Sequence, residues 1–103
     1  MAIESVNTVE IRLLETLDST FAEAAMDCVR RLQVEPGCLD YTLTPSTREP
    51  GLWWLAGYWE SESQMTQSYE SAPMMQLLKG LVEKGASLSF WSFVPQTAAV
   101  HGN

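Results

Sequence analysis

The first periodic stretch of the chain, residues 6–16, alternates: Asn7, Val9, Ile11 and Leu13 fall on one face, Thr8, Glu10 and Arg12 on the other. A period of two predicts a half-buried strand. Asp18-Ser19-Thr20 interrupts it, and Thr20-Phe21-Ala22-Glu23 has the form of a capping box. The helix expected next carries Phe21, Ala25, Cys28 and Leu32 as a single stripe, and Pro36-Gly37 ends it. A second strand is expected over 38–44, with Leu39, Tyr41 and Leu43 opposite Asp40 and Thr42. Residues 45–51 are rich in proline, serine and glycine and read as a turn. The third strand, 52–60, is different in kind. Leu52, Trp54, Ala56 and Tyr58 lie on one face and Trp53, Leu55, Gly57 and Trp59 on the other, so neither face is polar.

Ser61-Glu62-Ser63-Gln64 forms another capping box, opening a short helix to about residue 69. Pro73 suits the first turn of a further helical piece, whose stripe is Met74, Leu77, Leu78 and Leu81, with Gly85 as its stop. The last strand, 86–94, again has apolar weight on both faces, Leu88 and Phe90 against Trp91 and Phe93. The order β-α-β-β-α-β predicts an α+β fold of ferredoxin-like type, a four-stranded antiparallel sheet with helices on one face. Such a sheet normally gives its other face to water and alternates cleanly. Here the third and fourth strands do not alternate, and the chain has no third layer to cover them. A second copy is the economical cover, because a self-complementary face closes as a two-fold homodimer.

With 103 residues there is room for one domain and one core. That domain is expected over 1–95, with a small, polar, loose tail over 96–103. The net charge of -7 argues against nucleic acid or an anionic membrane as partner. No signal-peptide pattern opens the chain and no apolar run reaches bilayer length. Cys28 and Cys38 do not read as a disulfide framework, and free thiols in a cytoplasmic protein are the expectation.

The run Glu35-Pro36-Gly37-Cys38-Leu39-Asp40-Tyr41-Thr42-Leu43 resembles a segment common in the antibiotic biosynthesis monooxygenase family. Trp59-Glu60-Ser61-Glu62-Ser63-Gln64-Met65 resembles that family's start of the second helix, and Ser71-Ala72-Pro73 the serine-proline that follows. The resemblance implies a ferredoxin-like chain that pairs through its sheet into a dimeric α+β barrel. It also implies oxidation of a small aromatic or quinol-like molecule without metal or flavin. Some members instead cleave haem, and others act on small signalling molecules. Many members carry a histidine nine residues after the tryptophan; this chain has Ser68 there, followed by Tyr69.

Elimination narrows the chemistry further. One histidine, His101, and two separated cysteines do not make a zinc or iron site, and no glycine-rich phosphate loop joins a strand to a helix. Haem cleavage is disfavoured for want of a histidine in the second-helix region. No cofactor is therefore expected, and an electron-rich substrate would need only a dry pocket, orientation, and a proton donor and acceptor. The resemblance puts Trp59 first in such a pocket, with Tyr69 and Ser68 beside the replaced histidine as catalytic candidates. Tyr58, Arg12, Asn7, Met65 and Met74 are the substrate-binding candidates. Each has a plain structural reading too: core or interface packing for Trp59 and the methionines, a solvated rim for Arg12. Two functional readings stay open, a cofactor-independent monooxygenase and a non-catalytic dimer that only holds a small apolar or aromatic ligand.

Overall fold

A computed structural model describes residues 2–96; His101 and residues 97–103 of the expected tail lie outside the described residues. The elements run β1 (Ser5–Arg12), α1 (Ser19–Gln33), β2 (Cys38–Pro45), β3 (Leu52–Trp59), α2 (Glu62–Ser68), α3 (Ala72–Glu83) and β4 (Ser87–Phe93). All the strand pairings are antiparallel and the sheet order is β2-β3-β1-β4. The chain is thus the expected ferredoxin-like α+β fold, with the second helical region in two pieces. Ser61 and Ser71 each start a piece, their hydroxyls accepting from the backbone N–H groups of Gln64 at 3.1 Å and Met74 at 3.4 Å. A serine side chain that bonds the third residue on satisfies an otherwise orphaned donor, so a second cap forces a second helix.

The cap of α1 differs from the expectation. Asp18, not Thr20, is the capping residue, its carboxylate accepting from Phe21 N–H at 2.7 Å. A carboxylate binds the positive helix end more strongly than a hydroxyl, and Lys84 holds it from the far side at 3.0 Å. The first strand is also shorter than the alternation suggested. It ends at Arg12, where Leu13 N–H turns to bond the carbonyl of Gly51. Gly51 has a φ of 84°, and a Cβ there would stand 2.3 Å from the Leu13 carbonyl oxygen, so the turn needs glycine.

Strand register assigns every side chain to a face. Val9, Ile11, Tyr41, Leu55 and Trp59 point toward the helices and join Val29, Leu32, Met65, Met74, Leu77 and Leu81 in one buried core. The opposite face carries Thr8, Glu10, Thr42, Trp54, Ala56, Tyr58, Trp91 and Phe93, and no helix among the described residues covers it. Thr8 and Ala56 form its small, buried centre, while Trp54, Trp91 and Phe93 stand exposed around them. Both cysteines are free thiols, Cys28 buried in α1 and Cys38 half-buried. No helix of the described residues is long and apolar enough to cross a membrane.

Candidate functional site

Four residues stand side by side in one row across the helix-facing side of the sheet: Ser92 on β4, Asn7 on β1, Gly57 on β3 and Tyr41 on β2. Gly57 leaves a gap in that row, and its neighbours fill it. A Cβ at Gly57 would stand 2.4 Å from Asn7 Oδ1, 2.5 Å from Tyr41 Cε2 and 2.9 Å from Trp59 Nε1. Into this space Trp59 Nε1 donates to Asn7 Oδ1 at 2.7 Å, and Asn7 Nδ2 donates to the Tyr41 hydroxyl at 3.0 Å. The Tyr41 and Trp59 rings meet edge to face, their centroids 6.1 Å apart. Indole N–H can only donate, so it fixes which end of the Asn7 amide faces it and leaves the amine end for Tyr41. Burial raises the Tyr41 phenol well above its ordinary pKa, the Asn7 hydrogen bond offsetting only part of that.

These three residues are fully buried, and none of the pockets described on the surface is lined by them. Trp59 and Asn7, expected in a pocket, are therefore brought together but closed off under α2. Met65 seals the place, accepting from the buried Ser5 hydroxyl through its sulfur at 3.2 Å. Met74 is wholly inside the core. Ser68, where the family resemblance led us to expect a histidine, is buried and donates to the Met65 carbonyl at 2.6 Å, while its own carbonyl accepts from Ser71 at 2.8 Å. Its hydroxyl is spent on ending α2.

An open space lies one strand away. Tyr69, which ends α2, lines a groove of about 390 Å³ together with Leu78 of α3 and Phe90, Trp91 and Ser92 of β4. Ser92 is the register neighbour of Asn7, so the groove opens on the outer end of the same polar row. Its walls are aromatic and aliphatic, and among the described residues lining it only Tyr69 and Ser92 offer side-chain hydroxyls. Burial raises the Tyr69 pKa, so the phenol stays neutral and able to donate at neutral pH.

The remaining candidates fall on the other side of the sheet. Tyr58 lines a space of about 620 Å³ with Ile3, Leu39, Asp40 and Thr42 at the β2 margin. Arg12 is exposed at the strand end, bonded to Glu10 at 3.1 Å and to Glu49, and two carboxylates already satisfy it. The sequence reading missed Tyr41, Gly57 and Ser92. A glycine inside an aromatic strand was the available signal, since it marks a close approach of neighbouring groups.

A ferredoxin-like α+β domain with an aromatic groove between its second helical region and its edge strand defines the class of protein. The family model described as antibiotic biosynthesis monooxygenase matches residues 6–79, and the chain belongs to that family. Solved structures share the fold at low identity. A Deinococcus radiodurans protein bearing the family's name superposes with a TM-score of 0.74 at 14% identity, covering 88% of this chain and 91% of that one. SnoaB of Streptomyces nogalater, a cofactor-independent oxygenase solved as a mutant, also gives a TM-score of 0.74, at 11% identity over 91% of this chain and 95% of its own. A Pseudomonas aeruginosa protein does so at 13% identity over 92% and 96%. No curated protein matches the chain.

Proposed function

We propose that the protein is a cofactor-independent monooxygenase of a small hydroxyaromatic or quinol-like substrate, acting in the groove beside Tyr69, as a homodimer paired through its open sheet face. The observation that carries this reading is the groove itself: apolar walls of Leu78, Phe90 and Trp91 with the hydroxyls of Tyr69 and Ser92 at hand. A flat aromatic ring fits such walls, and stacking there holds the ionised substrate beside the Tyr69 hydroxyl for reaction with dioxygen. In the step proposed, the substrate carbanion bonds one oxygen atom and the resulting peroxide takes a proton from neutral Tyr69. The O–O bond then breaks as the C–H proton leaves, giving a carbonyl and water. One oxygen atom enters product and the other leaves as water, so no outside reductant is needed. Tyr69 is reprotonated from solvent through the open groove.

A second reading, a dimer that holds the ligand without turning it over, is favoured by one observation. Among the described residues lining the groove there is no carboxylate, imidazole or amine to serve as base. Substrates that ionise unaided satisfy the first reading, and this choice makes the test. Oxygen uptake is measured with a panel of dihydroquinones and anthrones. Turnover by the wild type, reduced about 100-fold in Tyr69→Phe, is the expected result, because a positioned acid contributes on that order. Ligand binding with no oxygen uptake across the panel would overturn the monooxygenase reading in favour of the second.

A further inference from the structure

A second space lies at the far end of the sheet from Trp59 and takes no part in the groove. Trp53 and Trp59 are the second and last residues of β3, about 20 Å apart along an extended strand. Beside Trp53, the β1–α1 connection and the β2–β3 turn enclose a cavity of about 500 Å³, walled by Leu13, Leu17, Ala22, Pro45, Leu52 and Trp53. Hydrogen bonds hold its walls in place: Leu13 N–H donates to the Gly51 carbonyl, joining the two loops, and Ser46 N–H donates to that of Leu52, both at 2.8 Å. Leu14 stands at the rim, 96% exposed, so an apolar occupant also takes leucine surface out of water. We propose that this cavity is a second ligand site, for a small apolar amine carried as its ammonium ion.

Charge complementarity decides the class of occupant. Glu15 and Glu49 are the charged side chains of the lining, and no lysine, arginine or histidine among the described residues joins them there. Two cations lie close by, and both are already engaged. Arg12 bonds Glu10 at 3.1 Å and also Glu49. Lys84, which shares a small hollow with Glu15, bonds Asp18 at 3.0 Å. None of the ion pairs among the described residues includes Glu15. An anion is repelled here, both by the two carboxylates and by the overall charge of -7. A bare metal ion finds too few ligands, since no group of three metal-binding side chains occurs among the described residues. An ammonium on an apolar body satisfies the carboxylates and the walls together, the pattern of a small-molecule site with few placed polar groups. Trp53 suits either part of such a ligand, because indole stacks with a flat ring and attracts a cation to its face.

The probe is tryptamine, compared with two molecules of the same shape, neutral tryptophol and anionic indole-3-propionate. Each is titrated into the full chain, and backbone amide shifts give both the place and the affinity. Tryptamine is expected to move the signals of residues 13–17 and 45–53 and to bind about tenfold more tightly than tryptophol, with indole-3-propionate weakest. Glu15→Gln changes an exposed residue and leaves Arg12 its partners. It should weaken tryptamine about fivefold, the upper range for an exposed ion pair, and leave tryptophol unchanged. Ala22→Leu fills the cavity from a helix position that accepts leucine and should abolish binding of all three. Equal affinity for tryptamine and tryptophol, wild-type affinity in Glu15→Gln, or no shifts at millimolar tryptamine overturns the inference. Shifts confined to Tyr69, Phe90 and Ser92 also overturn it, since they put the probe in the groove and leave the groove reading standing.

Discussion

At the scale of single residues, the centre of the molecule is a hydrogen-bond chain with no slack. Trp59 can only donate, Asn7 does both, and Tyr41 accepts, all in the space that Gly57 leaves empty. Gly57→Ala is therefore expected to destabilise by about 1–3 kcal/mol, the usual cost of overpacking a filled site, seen as a lowered urea midpoint with unchanged slope. Tyr41→Phe keeps the ring and removes the acceptor, leaving the Asn7 amine buried and unpaired at a cost of about 1–3 kcal/mol. The same denaturation experiment reads it, and a variant as stable as wild type contradicts the geometry. Two of the three members of this hydrogen-bond chain were legible beforehand. The family resemblance singled out Trp59, and it suggested Asn7 as a polar orienting group on the first strand. Tyr41 sat on a strand face that reads as ordinary core, and its phenolic oxygen gains meaning only from a partner thirty-four positions away.

Phenols also give the pH dependence its sign. Burial raises the pKa of both Tyr41 and Tyr69 in the folded chain, so the folded state holds those protons longer than the unfolded state. Stability from this source is complete below the ordinary phenol pKa of about 10 and declines as pH rises past it. Absorbance at 295 nm followed through an alkaline titration should show these two tyrosines ionising late, together with unfolding. Ionisation of all the tyrosines at the ordinary value in a chain that remains folded would contradict the burial.

Among the elements, those with strong local signals were readable and those set by competition were not. The three helical pieces announced themselves through caps and stripes, and the third strand through its two apolar faces. The cap of α1 went to Asp18 because a carboxylate that also meets Lys84 outcompetes a hydroxyl two residues on, and Lys84 is remote in sequence. The Phe21 N–H bond, and after it Lys84, lower the Asp18 pKa. Its contribution is therefore present above the unfolded carboxylate value and is lost as pH falls through the lowered one. Asp18→Asn keeps an acceptor at the cap but removes the titration, so its stability should lack that part of the acid decline seen in wild-type thermal melts. The groove was the least legible feature. It arises where α2 ends and β4 lies at the sheet edge, a meeting of elements that no local pattern records.

At the scale of the whole molecule, one number and one surface oppose each other. A charge of -7 on 103 residues repels a copy of itself, while the open sheet face offers exposed Trp54, Trp91 and Phe93 that water covers poorly. Salt acts on these two in opposite proportion. Raising ionic strength shortens the Debye length from about 20 Å near 0.02 M to about 7 Å near 0.2 M, which removes most of the long-range repulsion. It leaves burial of aromatic surface almost untouched. A dimer formed through the neutral centre of that face should therefore tighten several-fold over this range of sodium chloride, as read by sedimentation. An interface built on ion pairs would weaken instead, because screening would act on its attraction. Salt-induced dissociation would thus place the contact on the charged helix surface, away from Thr8 and Ala56.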